Sequence, residues 1–269
     1  MGQGRIDWQA KHSIFGAVHV DKFDSDGVEI AFIDEGSGAP IILVHGFASN
    51  VTFNWIDPGW VRHLTRAGYR VIALDNRGHG QSEKLHDKAD YGAPVMADDV
   101  LRLMDHLGLE RADLMGYSMG ARISAFFGLK APDRARSLIF GGLGGNMVRG
   151  MAGTGPIANA LEAETIDDVT NPTARTFRAF AEQTGGDLKA LAACIRSSRD
   201  PITVEDVGKL ACPVLVAVGT KDVIAGPAEA LAKLIPNAQA LPLEGRDHMK
   251  AVGDAAFKRG VIEFLRDRP

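Results

Sequence analysis

One serine of this chain lies where its hydroxyl can act as a nucleophile. Ser118 is the centre of residues 116–120, Gly-Tyr-Ser-Met-Gly, which fit the pattern Gly-x-Ser-x-Gly. The short apolar run 112–115 precedes this pentapeptide, and the helix-compatible segment 121–130 follows it. At such a strand-to-helix turn the serine hydroxyl is exposed, and the glycines remove side chains that would collide with the tight backbone. The same pattern also occurs in glycine-rich turns without chemistry, so it is the context that predicts a nucleophile.

A serine hydroxyl needs a base near neutral pH, and the base needs a group that orients it. His248 follows the strand-like run 238–243 and precedes the last predicted helix. Asp222 comes shortly after the run 214–218, so we expect its carboxylate at the mouth of a strand near Ser118. The order Ser118, Asp222, His248 predicts a catalytic triad. The alternatives are a solvated loop histidine and an aspartate that caps a helix.

The neighbouring Asp247 is a weaker candidate for the orienting acid, because side chains adjacent in sequence rarely point at each other.

A second turn is predicted to stabilise negative charge on a substrate oxygen. Residues 45–47, His-Gly-Phe, directly follow the apolar run 41–44. The backbone N–H groups of Phe47 and Met119 are the predicted oxyanion donors. His45 itself is interpreted as a structural residue of the turn.

Strand-like and helix-like segments alternate along the chain and must position these residues. Nearly continuous apolar runs, typical of strands buried on both faces, are found at 41–44, 71–74, 114–115, 138–140 and 214–218. Apolar residues repeat at helical spacing over 96–107 and 257–265. Segments 18–23 and 28–33 flank an Asp-Ser-Asp-Gly turn, which predicts an antiparallel hairpin. We therefore predict an α/β fold: a mostly parallel sheet of about eight strands with helices on both faces.

Residues 144–206 break this alternation. The stretch begins in a glycine-rich segment and continues as helical pieces without a convincing buried strand. We predict that it is a helical cap or lid inserted into an α/β core formed by residues 1–143 and 207–269. The alternative is an ordinary crossover that carries extra helices.

Composition limits the classes of function. The chain is 45% hydrophobic and 24% charged, with a formal net charge of -4, as is typical of a soluble globular protein. Lysines and arginines are scattered, which predicts neither a basic patch nor a nucleic-acid partner. Cys194 and Cys212 lack metal-ligand spacing. The polar N-terminus and the absence of an apolar run approaching about 20 residues predict a cytoplasmic protein without membrane association, and the oligomeric state stays open.

The order of these motifs resembles that of the α/β-hydrolase superfamily, over essentially the whole chain after about residue 15. The resemblance rests on residues 45–47, the segment Asp-Asn-Arg-Gly-His-Gly-Gln-Ser at 75–82, residues 116–120, Asp222 and His248. It implies that Asp75, Arg77 and His79 support the nucleophile turn structurally. It also implies that no metal and no organic cofactor is needed, and that the insertion is a cap that shapes the substrate pocket.

A serine at position 118 suits attack on a carbonyl to give an acyl-enzyme, whereas relatives that open epoxides or displace halide use a carboxylate there. We therefore expect a serine hydrolase, first a carboxylesterase acting on small esters. Alternatives with the same triad are a lactonase of the enol-lactone type, a C–C bond hydrolase and a cofactor-free perhydrolase. A noncatalytic or slow-turnover ligand receptor of the same fold is an alternative of another class.

The substrate is expected to be a small-molecule ester or lactone in a mainly apolar pocket. Arg175 or Arg178 is a candidate for binding a substrate carboxylate, against the alternative of an ordinary exposed cap arginine. The predicted pocket residues are Phe47, Phe53, Trp55, Met119, Met147, Met151, Phe177 and Phe180.

Overall fold

A computed structural model describes residues 18–149, 154–197 and 201–268. These residues form one eight-stranded sheet with the order β1-β2-β4-β3-β5-β6-β7-β8. The first two strands form the predicted hairpin, and β2 also pairs with β4 in the antiparallel direction. All further pairings, from β4 to β8, are parallel. The predicted mostly parallel sheet is confirmed. Its strands are β1 (Asp21–Asp24), β2 (Glu29–Gly36), β3 (Ala39–Val44), β4 (Tyr69–Leu74), β5 (Ala112–Tyr117), β6 (Ala135–Gly141), β7 (Val214–Gly219) and β8 (Ala238–Leu243).

Helices cover both faces of the sheet, as the alternating pattern predicts. Along β3, Ile42 and Val44 face one apolar core while Ile41 and Leu43 face the other, because successive side chains of a strand point to opposite faces. Helices α2, α3, α8 and α9 pack on the first core, and α1, α10 and α11 pack on the second. The α-helices are α1 (Trp60–Arg66), α2 (Ala93–His106), α3 (Met119–Lys130), α4 (Asn146–Arg149), α5 (Thr154–Glu162), α6 (Pro172–Gln183), α7 (Leu188–Arg196), α8 (Val204–Val207), α9 (Ala228–Ala232), α10 (His248–Ala251) and α11 (Ala255–Asp267).

A buried polar network ties the N-terminal hairpin to the loop that follows β4. The Arg77 guanidinium donates to both carboxylate oxygens of Asp99, at 2.8 and 2.7 Å. Ser25, in the turn between β1 and β2, donates to the same carboxylate at 2.6 Å. A buried ion pair needs such additional hydrogen bonds to offset its loss of hydration. The network fixes loop 75–82 against the sheet.

Helices α4 to α8 lie between β6 and β7 in the chain, where the insertion was predicted. We call α5, α6 and α7 the cap helices. Their apolar residues form a third cluster with Phe47 and Ala48, which follow the carboxyl end of β3. Buried Arg178 links two of these helices by donating to the carbonyls of Ala160 (2.7 Å) and Ala163 (2.9 Å) at the end of α5. The domain boundaries at 144 and 206 stay a prediction. None of the helices within the described ranges is long and apolar enough to cross a membrane.

Candidate active site

The turn between β5 and α3 holds Ser118 in a strained conformation. Its φ of 54° and ψ of -111° are unusual for a residue other than glycine. A Cβ on Gly116 would lie 2.1 Å from the Gly120 carbonyl oxygen, and a Cβ on Gly120 would lie 1.9 Å from that of Val44. Both glycines are therefore required by close backbone contacts within the turn and between the turn and β3.

The three predicted triad side chains meet at the carboxyl edge of the sheet. His248 Nε2 lies 3.1 Å from Ser118 Oγ, and His248 Nδ1 lies 2.6 Å from Asp222 Oδ2. These distances are those of hydrogen bonds, in the arrangement by which a base takes a hydroxyl proton while a carboxylate holds its other nitrogen. The Asp222 side chain is fully buried, and that of His248 is 14% exposed. Water therefore has little access to the Asp222–His248 pair.

Local hydrogen bonds position Asp222 and separate it from Asp247. Asp222 Oδ1 accepts from the backbone N–H groups of Ile224 and Ala225, at 2.8 and 2.9 Å, so only Oδ2 is directed at the histidine. Asp247 instead caps helix α10, accepting from the backbone of Met249 and Lys250. That capping explains why Asp247, although adjacent to His248, does not orient the ring.

Tyr117 contacts His248 through a hydrogen bond and through its ring. Its hydroxyl donates to the backbone carbonyl of His248 at 2.5 Å, and the two rings lie 5.6 Å apart. Burial raises the pKa of Tyr117, and the nearby carboxylates of Asp222 and Asp247 raise it further. The phenol therefore stays protonated and continues to donate to His248.

The turn after β3 is fixed by hydrogen bonds to the peptide that carries the predicted oxyanion donor. His45 Nδ1 lies 2.7 Å from the Gly46 carbonyl oxygen, while His45 Nε2 accepts from the Asn76 backbone N–H at 2.9 Å. This pairing assigns the proton to Nδ1 and leaves the ring neutral. Burial lowers the pKa of His45 to about 4, which agrees with that state.

The Gly46 carbonyl and the Phe47 N–H belong to one planar peptide unit and point in opposite directions. His45 therefore controls the direction of the Phe47 N–H without touching it. Asn54 Oδ1 accepts from the Gly46 N–H at 3.1 Å and fixes the preceding peptide. A Cβ on Gly46 would lie 3.3 Å from the Tyr117 carbonyl oxygen and 3.5 Å from Ser118 Cβ, so the turn lies directly against the nucleophile.

The loop that follows β4, residues 75–82, packs against the turn that carries Phe47. Asp75 accepts from the backbone N–H groups of Val51 and Gln81, each at 2.7 Å. His79 is fully enclosed and its ring lies 5.2 Å from that of His45 and 5.9 Å from that of Phe47. Burial, with a smaller contribution from the neighbouring His45, lowers the pKa of His79 to about 3. Asp75 and His79 thus contact backbone groups of this region, whereas the Arg77 side chain pairs with Asp99.

Four of the predicted pocket residues lie together beside the turn that carries Ser118. Phe47 packs against Phe177 of α6, with the ring centres 6.0 Å apart. Phe180, one turn further along α6, packs on the same cluster, as does Met119. These side chains make the covering of the site apolar.

Trp55 and Met147 do not line that covering, which corrects the sequence prediction. Both side chains are fully buried. Trp55 packs edge-on against Trp60 at 6.3 Å in the core beneath α1, and Met147 belongs to the core on the opposite face of the sheet. An aromatic residue or a methionine near a motif can pack in the core or line a pocket. Only the path of the backbone decides which of the two places it occupies. Met151 lies outside the described residues.

The two arginines considered for substrate binding have other partners. Arg175 is exposed and pairs with Asp167 at 2.9 Å. Arg178 is buried and, besides the α5 carbonyls, contacts Glu182 at 2.7 Å. Both guanidinium groups are thus engaged by groups of the protein itself.

One polar contact ties the cap helices to the oxyanion turn. The Thr184 hydroxyl, at the end of α6, donates to the Ala48 carbonyl at 2.8 Å. Ala48 has a φ of 58°, a conformation that is strained for an alanine. Because Ala48 follows Phe47 directly, this contact links the position of α6 to the backbone that carries the predicted oxyanion donor.

Sequence reasoning missed Tyr117, Asn54, Asn76 and Thr184. Tyr117 lies inside the Gly-x-Ser-x-Gly pentapeptide and Asn76 inside segment 75–82, so their proximity to the motifs was the available signal. Asn54 and Thr184 carry no such signal. Among the described residues, no group of three or more histidine, cysteine or acidic side chains is arranged to hold a metal ion.

Comparison with known proteins agrees with this fold. The family model for the alpha/beta hydrolase fold matches residues 39–148. A non-heme chloroperoxidase from Kitasatospora aureofaciens is 29% identical over 276 residues, which cover 89% of this chain and 97% of that protein. The structure of a thermophilic esterase from Thermogutta terrifontis, determined with malate bound, is 28% identical with a TM-score of 0.71, over 92% of this chain and 98% of that one.

An enol-lactonase structure from Burkholderia xenovorans has a TM-score of 0.75 at 23% identity, over 92% of this chain and all of that one, and shows a likeness of fold alone. The sheet order, the turn that carries Ser118 and these similarities support membership of the α/β-hydrolase superfamily. Within that superfamily it is a hydrolase.

Proposed function

We propose that this protein is a carboxylesterase that cleaves small carboxylic esters through an acyl-enzyme on Ser118. The observation that carries the proposal is the unbroken chain of contacts from Asp222 through His248 to Ser118, at 2.6 and 3.1 Å. A carboxylate, an imidazole and a hydroxyl in this order activate the hydroxyl for attack on a carbonyl.

In the first half of the reaction, Ser118 Oγ forms a bond to the ester carbonyl carbon and its proton passes to His248 Nε2. Asp222 stabilises the imidazolium that results. The backbone N–H groups of Phe47 and Met119 donate to the oxygen that becomes negative. Collapse of this intermediate breaks the bond to the alcohol oxygen, which takes the proton from His248.

In the second half, water attacks the acyl carbonyl while His248 accepts a proton from it. The bond between the acyl group and Ser118 Oγ then breaks, the serine recovers its proton from His248, and the acid leaves. The apolar covering formed by Phe47, Phe177 and Phe180 suits a short acyl chain or a small alcohol better than a charged substrate.

Hydrolysis of p-nitrophenyl acetate and butyrate tests the proposal. We expect sustained turnover by the unaltered chain and a loss of at least about 10⁴-fold in Ser118→Ala. Ser124→Ala is the matched control, because that hydroxyl also lies on α3 but is bonded to the Gly120 carbonyl at 2.9 Å. A fluorophosphonate probe should label Ser118 alone. Full activity in Ser118→Ala would refute the assignment, and a single slow burst without turnover would favour the ligand receptor.

A second candidate is perhydrolysis, favoured by the similarity to the non-heme chloroperoxidase over 97% of its length. Here hydrogen peroxide replaces water in the attack on the acyl-enzyme, so the bond to Ser118 Oγ breaks and a peracid leaves. Peracid formation from acetate ester and hydrogen peroxide, measured beside ester hydrolysis, separates the two. Hydrolysis without any peracid would exclude this candidate.

A further inference from the structure

A cleft lined by arginines lies at the amino edge of the sheet, the edge opposite to Ser118. It has a volume of about 430 Å³, and its walls are Leu265 and the four arginines Arg111, Arg136, Arg266 and Arg268. Arg111 precedes β5, Arg136 is the second residue of β6, and the other two arginines lie at the end of α11. Parallel strands begin at one edge of a sheet, which brings these distant positions together.

The cleft continues past its first opening. A second open cleft of about 440 Å³ shares Arg111 and Arg136 and is otherwise lined by Pro132, Asp133, Ala135, Ala211, Cys212 and Pro213. Asp133 is the acidic side chain at this end, and it is exposed. The combined space is in the range of small-molecule sites and far larger than a single halide ion requires.

The positive charge in this cleft exceeds its negative partners. Arg268 pairs with the buried carboxylate of Asp113, with Nη2 3.0 Å from Oδ2, and Ser137 donates to the other oxygen at 2.7 Å. Arg111 contacts the Ala135 carbonyl at 3.3 Å. The charges of Arg136 and Arg111 also act on the Asp113 carboxylate, in the direction that lowers its pKa. Four guanidinium groups therefore share the buried carboxylate of Asp113, in a protein whose net charge is -4.

The chemistry of these groups selects the ligand. A guanidinium presents a planar fork of N–H donors that matches the oxygens of a phosphate, and several forks around one cleft favour an anion of more than one charge. Walls of one sign also concentrate the field within a cleft. We propose that this cleft is a second binding site, for the phosphoryl group of a phosphate-bearing molecule, separate from the ester site.

Calorimetric titration with sodium pyrophosphate, at an ionic strength matched with sodium chloride, tests the site. We expect saturable binding that weakens by at least about tenfold in the double variant Arg136→Gln, Arg266→Gln, because each substitution removes a charge-assisted hydrogen-bond donor. Arg102→Gln is the matched control: that arginine is on the surface of α2 and pairs with Asp26 at 3.0 Å. Its affinity should equal that of the unaltered chain.

Sedimentation with phosphatidylcholine vesicles, with and without phosphatidic acid, distinguishes a lipid headgroup from a free phosphate. Pyrophosphate binding without sedimentation supports a soluble ligand, and sedimentation that requires phosphatidic acid supports a headgroup. Absence of both, or equal affinity in the double variant, would overturn the proposal. Turnover of p-nitrophenyl acetate by the double variant should be unchanged, so failure of this site and failure of the Ser118 chemistry are separate results.

Discussion

The turn that carries Phe47 and the cap helices that cover it are held by different forces. His45, Asn54 and Asn76 fix the turn by directional hydrogen bonds of 2.7 to 3.1 Å between buried groups. The cap helices contact the turn mainly through apolar side chains such as Phe177. Hydrogen bonds specify direction and distance, whereas apolar contacts tolerate replacement of similar volume. The geometry of reaction is therefore expected to depend on the turn, and substrate preference on the cap.

The largest effect is expected at Gly120, where α3 meets the end of β3. Gly120→Ala would place a methyl carbon 1.9 Å from the Val44 carbonyl oxygen, so the backbone must move. We expect a loss of at least about 3 kcal/mol in the free energy of unfolding measured in urea. Gly155→Ala, in cap helix α5, meets nothing within 4 Å and should cause no loss. Equal stability of both variants would show that the turn is not as tightly fixed as its contacts indicate.

The second effect concerns only the direction of the Phe47 backbone N–H group. His45→Gln removes the ring that holds the Gly46–Phe47 peptide, and we expect kcat to fall by about 10²-fold with little change in KM, as for loss of an oxyanion donor. Steady-state kinetics with p-nitrophenyl acetate measures both constants. His19→Gln is the control, because this histidine is exposed and lies just before β1. A change in KM alone would place His45 in substrate binding instead.

The buried His79 of loop 75–82 also predicts a pH dependence of the free energy of unfolding. Burial lowers the pKa of His79 from 6.5 to about 3, so between these values the unfolded chain binds a proton that the folded chain does not. Stability contributed by the neutral ring is therefore full above pH 6.5 and is lost as pH falls towards 3.

In His79→Gln this loss is absent, and the slope of unfolding free energy against pH should be shallower by up to about 1.4 kcal/mol per pH unit. Urea unfolding of both proteins at several pH values below 6.5 measures the difference. The other titrating groups are common to the two proteins. Identical slopes would mean that His79 becomes protonated in the folded state.

On the cap side, Phe177→Ala removes the ring that packs on Phe47 at 6.0 Å. We expect KM for p-nitrophenyl butyrate to rise by about fivefold, with a smaller change for the acetate and little change in kcat, since an aromatic contact is worth about 0.5–1.5 kcal/mol. Thr176→Ala, at an exposed position of the same helix, is the control. A fall in kcat comparable to that of His45→Gln would remove the distinction between turn and cap.

The smallest effect tests the contact that joins the two regions. Thr184→Val keeps the shape of the side chain but loses the hydrogen bond to the Ala48 carbonyl. We expect kcat to fall by about threefold, the worth of one neutral hydrogen bond, with recovery in Thr184→Ser. Failure of the serine variant to restore kcat would attribute the effect to packing of the threonine methyl group.

Much of the fold could be predicted because its signals are local. The continuous apolar runs of β3, β4 and β7 reflect burial on both faces, and the turn between β1 and β2 carries its own hairpin residues. The pentapeptide around Ser118 likewise requires glycine for close contacts that any copy of this turn must make. The catalytic roles of Ser118, His248 and Asp222 stay a prediction, now with distances on which mutants can be designed.

By itself, the amino-acid sequence determined the alternation of strands and helices, the order of the candidate site residues and the glycines of the nucleophile turn, because these depend on neighbours along the chain. Only the tertiary structure decided that Trp55 and Met147 belong to the core, that Tyr117 and Asn54 support the site, and that four scattered arginines form one cleft. Such placements depend on which strand edges and helix ends come together in space. The spacing of residues along a chain does not contain that information.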